Sequence, residues 1–407
     1  MGLRVAKHDE NANRTHETAK RAPASEGVSV SERRHLDTIA NKGSLTRKTS
    51  VEARKYRYEL RRKARAIRVL PRLKNCGHVP TGSAVSLHKT GTSASWAGLQ
   101  SCGSVWSCPE CSSVIMKQRQ TELKKVAEEW ATRGSMGFLT LTMRHKKQDN
   151  IKALWKALSG AWRAVASGSG WLRDKRDFDI SGFVRAVEIT HGSNGFHLHI
   201  HSLMFLDRVL TEEPAKRLFS RLFARWETAL VKAGFEAPLE IAQDFQIVEN
   251  SRAAAAVGEY LAKAMPEAKP RWGAVEEVTR QDVKRGRHGH RSMFQVLEDA
   301  LEGDLESINV WRDYEVASKG KRALTWSRGL RDLLELEEEL TDEQIAEQEP
   351  DEETTELIAI IDAPDWKHLL KKYPSSASDL LTLAEVNPEK ARTWLRSHFI
   401  PFRLLRT

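Results

Sequence analysis

This chain is short of cysteine, of tyrosine and of long apolar runs, and each shortage narrows what it can be. Only four cysteines occur in 407 residues, all between positions 76 and 111. A disulfide framework for the whole chain is excluded, and clustered thiols in a large basic protein point to a metal instead. No stretch approaches the ~18 consecutive apolar residues of a membrane span. Residues 1–50 are polar and charged and lack the apolar core of a secretory leader, so a cytoplasmic protein is expected. The phosphate-gripping pattern GxxxxGK followed by Ser or Thr is missing, which argues against a nucleotide-driven motor. No internal repeat is present. Basic residues vanish in one place, residues 335–356, which hold twelve acidic side chains and no Lys or Arg. The net charge is nevertheless +10, so the remainder is strongly basic and suits a polyanionic partner.

Residues 1–50 lack apolar periodicity and are expected to be a disordered basic tail. Residues 51–69 have a basic helical pattern, fit to lie along phosphates or to face solvent. With the Gly/Ser-rich cysteine segment and a helix over 112–133, they form an expected zinc-pinned module over 51–133. An ordered alternation follows over 134–265. Residues 137–143 are β-rich, and 150–166 repeat apolar residues at helical spacing through Ile151, Leu154, Trp155, Leu158 and Trp162. Residues 183–190 and 196–206 are two strands joined by a Gly- and Asn-rich hairpin connection. Thr211 caps a helix to Ala233, and a strand over 241–248 precedes a helix capped by Ser251. The order β-α-β-β-α-β predicts an α+β fold with a ferredoxin-like antiparallel sheet. A basic extension over 266–335, an acidic linker over 336–363 and a small helical tail over 364–407 complete the expected organisation.

The most informative run is residues 195–205, Gly-Phe-His-Leu-His-Ile-His-Ser-Leu-Met-Phe. Side chains alternate faces along a strand, so His197, His199 and His201 point the same way. Three imidazoles on one rigid face can converge on a metal ion; a His-rich solvated face is the plainer alternative. The antiparallel neighbour brings Glu188 within reach of that face. Two imidazoles and a carboxylate leave coordination positions open for a substrate oxygen, as Lewis-acid chemistry on a phosphate requires. His199 and His201 are the firm pair, and either Glu188 or His197 is the third ligand.

Downstream, Tyr260 and Lys263 are i,i+3 neighbours on a helix and share a face. A phenol that attacks a phosphodiester forms a phosphotyrosine and splits one hard step into two. Most helical tyrosines merely anchor a helix to a core, but the His strand upstream favours the chemical role. Of the other four, Tyr56 and Tyr58 lie in the basic helix, and Tyr314 and Tyr373 lack comparable context, Tyr314 ranking next. Cys76, Cys102, Cys108 and Cys111 match a four-thiolate structural Zn²⁺ site, with His78 as a fifth candidate and reduced buried cysteines as the alternative. Phosphate contacts are also expected from 51–69, 284–291 and 319–331; these position nucleic acid without reading sequence.

The strand Phe-Leu-Thr-Leu-Thr (138–142), the His199-Ile-His201 pair and the Tyr260-x-x-Lys263 element occur in that order. In this the chain resembles the HUH endonucleases, specifically the rolling-circle plasmid replication initiators. The cysteine segment and residues 321–331 share that resemblance, which covers roughly residues 70–335. It implies that Tyr260 nicks one strand of plasmid origin DNA, single-stranded or melted, and stays bound to the 5′ phosphate. The freed 3′ hydroxyl would prime synthesis by a host DNA polymerase with a host helicase. The ion would be Mg²⁺ or Mn²⁺ held by His199, His201 and Glu188. Many relatives place a Glu one turn before the nucleophile to end the round. Here that position is Ala256, and Glu259 and Glu249 are substitutes by proximity only. Conjugative relaxases and single-strand transposases use the same chemistry, but the missing P-loop and the length favour replication. A non-catalytic zinc-dependent DNA-binding regulator is the rival from another class.

Overall fold

The computed structural model describes residues 42–248, 290–348 and 355–404. Residues Met1–Lys48 and Thr49–Thr407 are separate units. Elements run α1 (Lys42–Ala64), α2 (Pro71–Asn75), β1 (Ala84–Thr90), β2 (Ser93–Ala97), α3 (Pro109–Trp130), β3 (Ser135–Thr142), α4 (Ile151–Val165), α5 (Gly168–Asp177), β4 (Ile180–Gly192), β5 (Gly195–Leu206), α6 (Glu212–Lys232) and β6 (Asp244–Val248). After residue 289 come β7 (Arg291–Ser292), α7 (Met293–Leu301), α8 (Leu305–Ser318), β8 (Leu324–Trp326), α9 (Leu330–Leu333), α10 (Asp342–Glu347), β9 (Thr355–Asp362), α11 (Ala363–Lys372), α12 (Ser376–Val386) and α13 (Pro388–Ser397). The class is α+β, with antiparallel strand pairs throughout. Among the described residues no helix is long and apolar enough to cross a membrane.

The larger sheet has the order β6-β3-β5-β4, with β7 and β8 both pairing the outer edge of β4. Taken along the chain, the strands of its β-α-β-β-α-β stretch therefore lie in the order 4-1-3-2. The hairpin that sets the register turns through Ser193-Asn194, with Gly192 paired to Gly195. Gly195 has φ +85°, and a Cβ there would come within 2.9 Å of the Lys147 carbonyl, so a larger residue would strain the turn. The expected strand over 183–190 extends to Ile180–Gly192 because both its edges find partners.

Helix α4 forms where its apolar stripe falls, with Asn150 accepting a hydrogen bond from the Lys152 N–H as its cap. Ile151, Leu154, Trp155, Leu158 and Trp162 are all buried. Trp162 and Trp171 of α5 meet Phe183 edge-on, and Arg185 lies over Trp162, so α4 and α5 cover the sheet face that carries the odd-numbered residues of β4. Phe219 of α6 stacks parallel to Phe245 of β6 on the same side. On the other face Trp130 of α3 packs edge-on against Phe205 and donates to the Leu206 carbonyl. Helix α3 thus closes the far end of that face.

A second sheet, β2-β1-β9, joins the hairpin inside the cysteine segment to a strand near the other end of the chain. Its core comprises Val85, Leu87, Ile358, Ile361, Trp366, Leu369, Leu380, Leu381 and Leu395. Trp366 fixes the junction, donating to the His78 carbonyl and meeting Trp96 edge-on. Within 336–363, expected as an acidic linker, the chain forms α10 and β9. Arg119 bridges Glu339 and Asp342 there, so the acidic run folds because buried basic groups face it. Residues 364–404 are helical, but they form their core with β1 and β9 rather than alone.

The basic helix also departs from expectation. Arg54 pairs with Glu385, Lys55 with Asp379 and Arg57 with Glu110, while Arg61 and Arg68 are buried. Part of its charge thus joins parts of the protein to one another, while Lys55 and Lys63 stay exposed, at 49% and 56% of their side chains.

Candidate metal centre

The β4–β5 register sets Glu188 directly opposite His199 and Ala186 opposite His201. Directly paired side chains stand ~5 Å apart at Cβ, and a diagonal neighbour is within reach of a long side chain. Glu188 spans both: its Oε2 lies 2.8 Å from His199 Nε2 and 3.1 Å from His201 Nε2. Ala186 leaves the space beside His201 that this requires. The three groups form one of two clusters of metal-ligand type among the described residues.

Neighbouring strands orient the rings. Thr140 of β3, paired with His201, places its Oγ1 3.1 Å from His201 Nδ1, and Phe138 stacks nearly parallel to the ring. Holding the far nitrogen of an imidazole turns the near one toward a metal. Among the described residues His199 Nδ1 is buried without a hydrogen-bond partner. Exposure grades across the cluster, from 4% for the His201 side chain to 13% for His199 and 27% for Glu188, so the cluster opens on its carboxylate side.

Electrostatics lower the proton affinity of Glu188 and of His201. Burial opposes ionisation of Glu188, but the hydrogen bonds from His199 and His201 outweigh it and bring its pKa down to about 2. Burial, ahead of the opposing Glu188 contact, lowers His201 as well. Two imidazoles with a carboxylate are a fit donor set for a divalent ion, and they leave positions for water or a phosphate oxygen.

His197 is on the same strand face but is not part of this cluster. Its Nδ1 lies 3.0 Å from His145 Nε2, and His145 Nδ1 lies 2.9 Å from the Asn194 carbonyl. Burial and the neighbouring His199 push His197 down to about 3. His145, Thr140 and the ring of His290, which packs beside His197, were not singled out in the sequence. Only Thr140 had a signal, its period-2 place opposite His201.

Tyr260, Lys263, Glu259, Glu249 and Ala256 lie outside the described residues. The chain leaves them at β6, on one edge of the larger sheet, and returns at β7 on the opposite edge. The other tyrosines have structural partners. Tyr314 is fully buried and donates to the Trp106 carbonyl, and burial raises its pKa well above the phenol range. Tyr56 bonds Glu298, Tyr58 lies under Arg61, and Tyr373 packs between Trp394 and His398.

The second cluster is Cys76, Cys102, Cys108 and Cys111, all buried and none in a disulfide. Sγ separations of 3.6 Å link Cys76 to Cys108, Cys76 to Cys111 and Cys102 to Cys111. A disulfide requires ~2.05 Å. Four thiolates ~2.3 Å from one tetrahedral ion stand ~3.8 Å apart, which these sulfurs match. Cys108 is the N-cap of α3 and Cys111 lies in its first turn. Contacts from Cys102 and the other thiols, helped by nearby Arg68, hold Cys108 well below the ordinary thiol range against the cost of burial. His78 is not part of the cluster.

Comparisons with known proteins agree on one family. A family model described as replication protein matches residues 97–373. A protein named "Protein rep" from Streptomyces lividans is 29% identical over 301 residues, which covers 59% of this chain. The chain spans 65% of that relative's length. No solved structure matches.

Proposed function

Since this chain belongs to the replication protein family, we propose that it initiates plasmid replication by nicking one strand of origin DNA through Tyr260. The observation that carries this reading is the convergence of Glu188, His199 and His201 on one open sheet face. The strand order 4-1-3-2 supports the ferredoxin-like plan of the HUH nucleases. The burial of Tyr314 and the packing contacts of Tyr56, Tyr58 and Tyr373 leave Tyr260 as the preferred nucleophile.

In the proposed reaction the Tyr260 phenol oxygen attacks the scissile phosphorus. The new O–P bond forms as the bond from phosphorus to the 3′ oxygen breaks. The phenol gives up its proton, and the 3′ oxygen leaves as the hydroxyl that primes synthesis. Energy of the diester is kept in the phosphotyrosine, so a later 3′ hydroxyl can reverse the exchange and religate. Lys263, one helical turn on, would steady the phenolate, and Glu259 is the carboxylate offered for ending the round. His199, His201 and Glu188 would hold a divalent ion, which would supply polarisation of the phosphate. Mixed imidazole and carboxylate donors suit Mn²⁺ as well as Mg²⁺. The thiolate cluster is read as a structural Zn²⁺ site, because its four ligands are buried and leave no open position. A flat sheet face accepts a single or melted strand more readily than a duplex groove, and the host helicase and polymerase would act on the product.

The test is a denaturing gel of the protein with Mn²⁺ and a labelled origin strand. A covalent protein–DNA band that disappears in Tyr260→Phe and with EDTA is the expected result. A band that survives Tyr260→Phe would move the nucleophile. Zinc-dependent duplex binding without cleavage would make the protein a regulator.

A further inference from the structure

The sheet face opposite the Glu188 cluster carries a second feature, which the reading above leaves unused. Between the outer side of α4 and the chain just after α8 lies a cleft of about 620 Å³. Five cations line it: Lys152, Lys156, Arg163, Lys319 and Lys321. Among the described residues no acidic one does, and all five are exposed. Elsewhere on this protein exposed cations do pair with carboxylates, as Lys147 does with Glu306 and Arg221 with Asp177. Among the described residues none of these five has an ion-pair partner within 4.0 Å. Five unneutralised like charges around one cavity repel each other, and a bound polyanion relieves that repulsion while releasing its counterions.

The charges are held in place rather than strung on a loose loop. Lys152, Lys156 and Arg163 are spaced four and seven residues apart on one stripe of a capped, well-packed helix. At ~1.5 Å per residue the stripe is ~16 Å long, about five phosphate steps of one strand at ~3.4 Å each. The Lys319–Lys321 segment is tied down by Trp106, whose Nε1 donates to the Lys321 carbonyl at 2.7 Å. Gly160 opens the floor between the cations, since a Cβ there would meet nothing within 4 Å.

We propose that this cleft binds the phosphate backbone of duplex DNA, on the side of the sheet opposite the cleaved strand. Duplex is favoured over single strand because single-strand grooves stack bases on exposed aromatic rings. Among the described residues the one aromatic ring lining this cleft, Trp155, is only 5% exposed and is covered by Trp106. The cleft offers charge without a stacking surface, and contacts made to phosphates grip duplex regardless of sequence. It would hold the DNA flanking the nick while the other face handles the melted strand. The DNA ligand rests on the function proposed above; the cleft and its charge do not.

The test uses full-length protein and the double variant Lys152→Ala, Lys156→Ala, whose two sites are exposed and leave the core intact. Anisotropy measures binding to a blunt 20-base-pair duplex across a salt series, and a parallel assay measures nicking of a short origin single strand with Mn²⁺. The expected result is at least tenfold weaker duplex binding, with the slope of log K against log salt shallower by about 1.8, at about 0.9 per lost phosphate contact. Nicking of the short strand should be unchanged. Equal duplex affinity and slope would overturn the proposal, as would a matching loss of single-strand nicking, which would put the cleft on the path of the cleaved strand. If neither protein nicks but the duplex result holds, the nuclease reading fails and the cleft stands.

Discussion

The thiolate cluster and the Glu188–His199–His201 cluster sit at opposite ends of a scale of access. The four cysteines are all buried, with every sulfur turned toward the others. The second cluster runs from nearly buried to a quarter exposed and keeps a side free. A closed shell holds structure together, whereas an open one leaves room for a substrate oxygen. The two regions around them differ in the same sense. The larger sheet is built mostly from one continuous stretch, 135–248. The smaller one needs β1 and β9, from distant parts of the chain, and the cysteine segment places its thiols in one core and its hairpin in the other.

If the thiolate cluster is structural, breaking it should do the most damage. Cys108→Ser, or strong chelation, is expected to melt the segment that carries both cores, because structural zinc contributes on the order of 10 kcal/mol to folding. Thermal unfolding with zinc analysis of the variant checks this, and an unchanged melting temperature would remove the distinction between the clusters. Breaking the open cluster should cost activity but not the fold. His201→Ala is expected to lower metal-dependent cleavage more than about 100-fold, above the loss typical of a ligand's supporting partner, with circular dichroism unchanged. A comparable loss of fold would make that cluster structural too.

The smallest effect concerns His191, buried at the β4–β7 edge against Phe196. Burial, reinforced by nearby Arg291, pushes it down to about 4. The unfolded chain therefore takes up a proton near pH 6.5 that the folded protein refuses until about pH 4. Stability from neutral His191 is complete above pH 6.5 and is lost as pH falls from there toward 4. In His191→Gln the acid side of the melting-temperature profile should be shallower between those values, and an unchanged profile would sink the assignment.

The histidine face was legible because a strand has period 2, and the hairpin brought Glu188 within reach of it while leaving His197 as an alternative; the register itself came from the fold. Helix α4 was legible from its apolar stripe. Tyr314, ranked only behind Tyr260 in the sequence, is buried and bonded to the Trp106 carbonyl, a contact between segments far apart in sequence. His145 carries no local signal, since a lone histidine in a loop acquires meaning only when β5 passes beside it. The β1–β2 hairpin was hidden in Gly/Ser-rich sequence, and its partner β9 in an acidic run.

Local patterns determined the alternation of strands and helices over 135–248, the shared face of the histidines and the clustering of the thiols. These depend on spacing along the chain, which backbone geometry converts directly into direction. Tertiary structure decided that Glu188 rather than His197 faces the pair His199 and His201, that the basic helix α1 binds carboxylates of its own chain, and that the last fifty described residues share a core with β1. Those outcomes depend on which distant surfaces meet, and burial and charge pairing settle that only once the chain has folded.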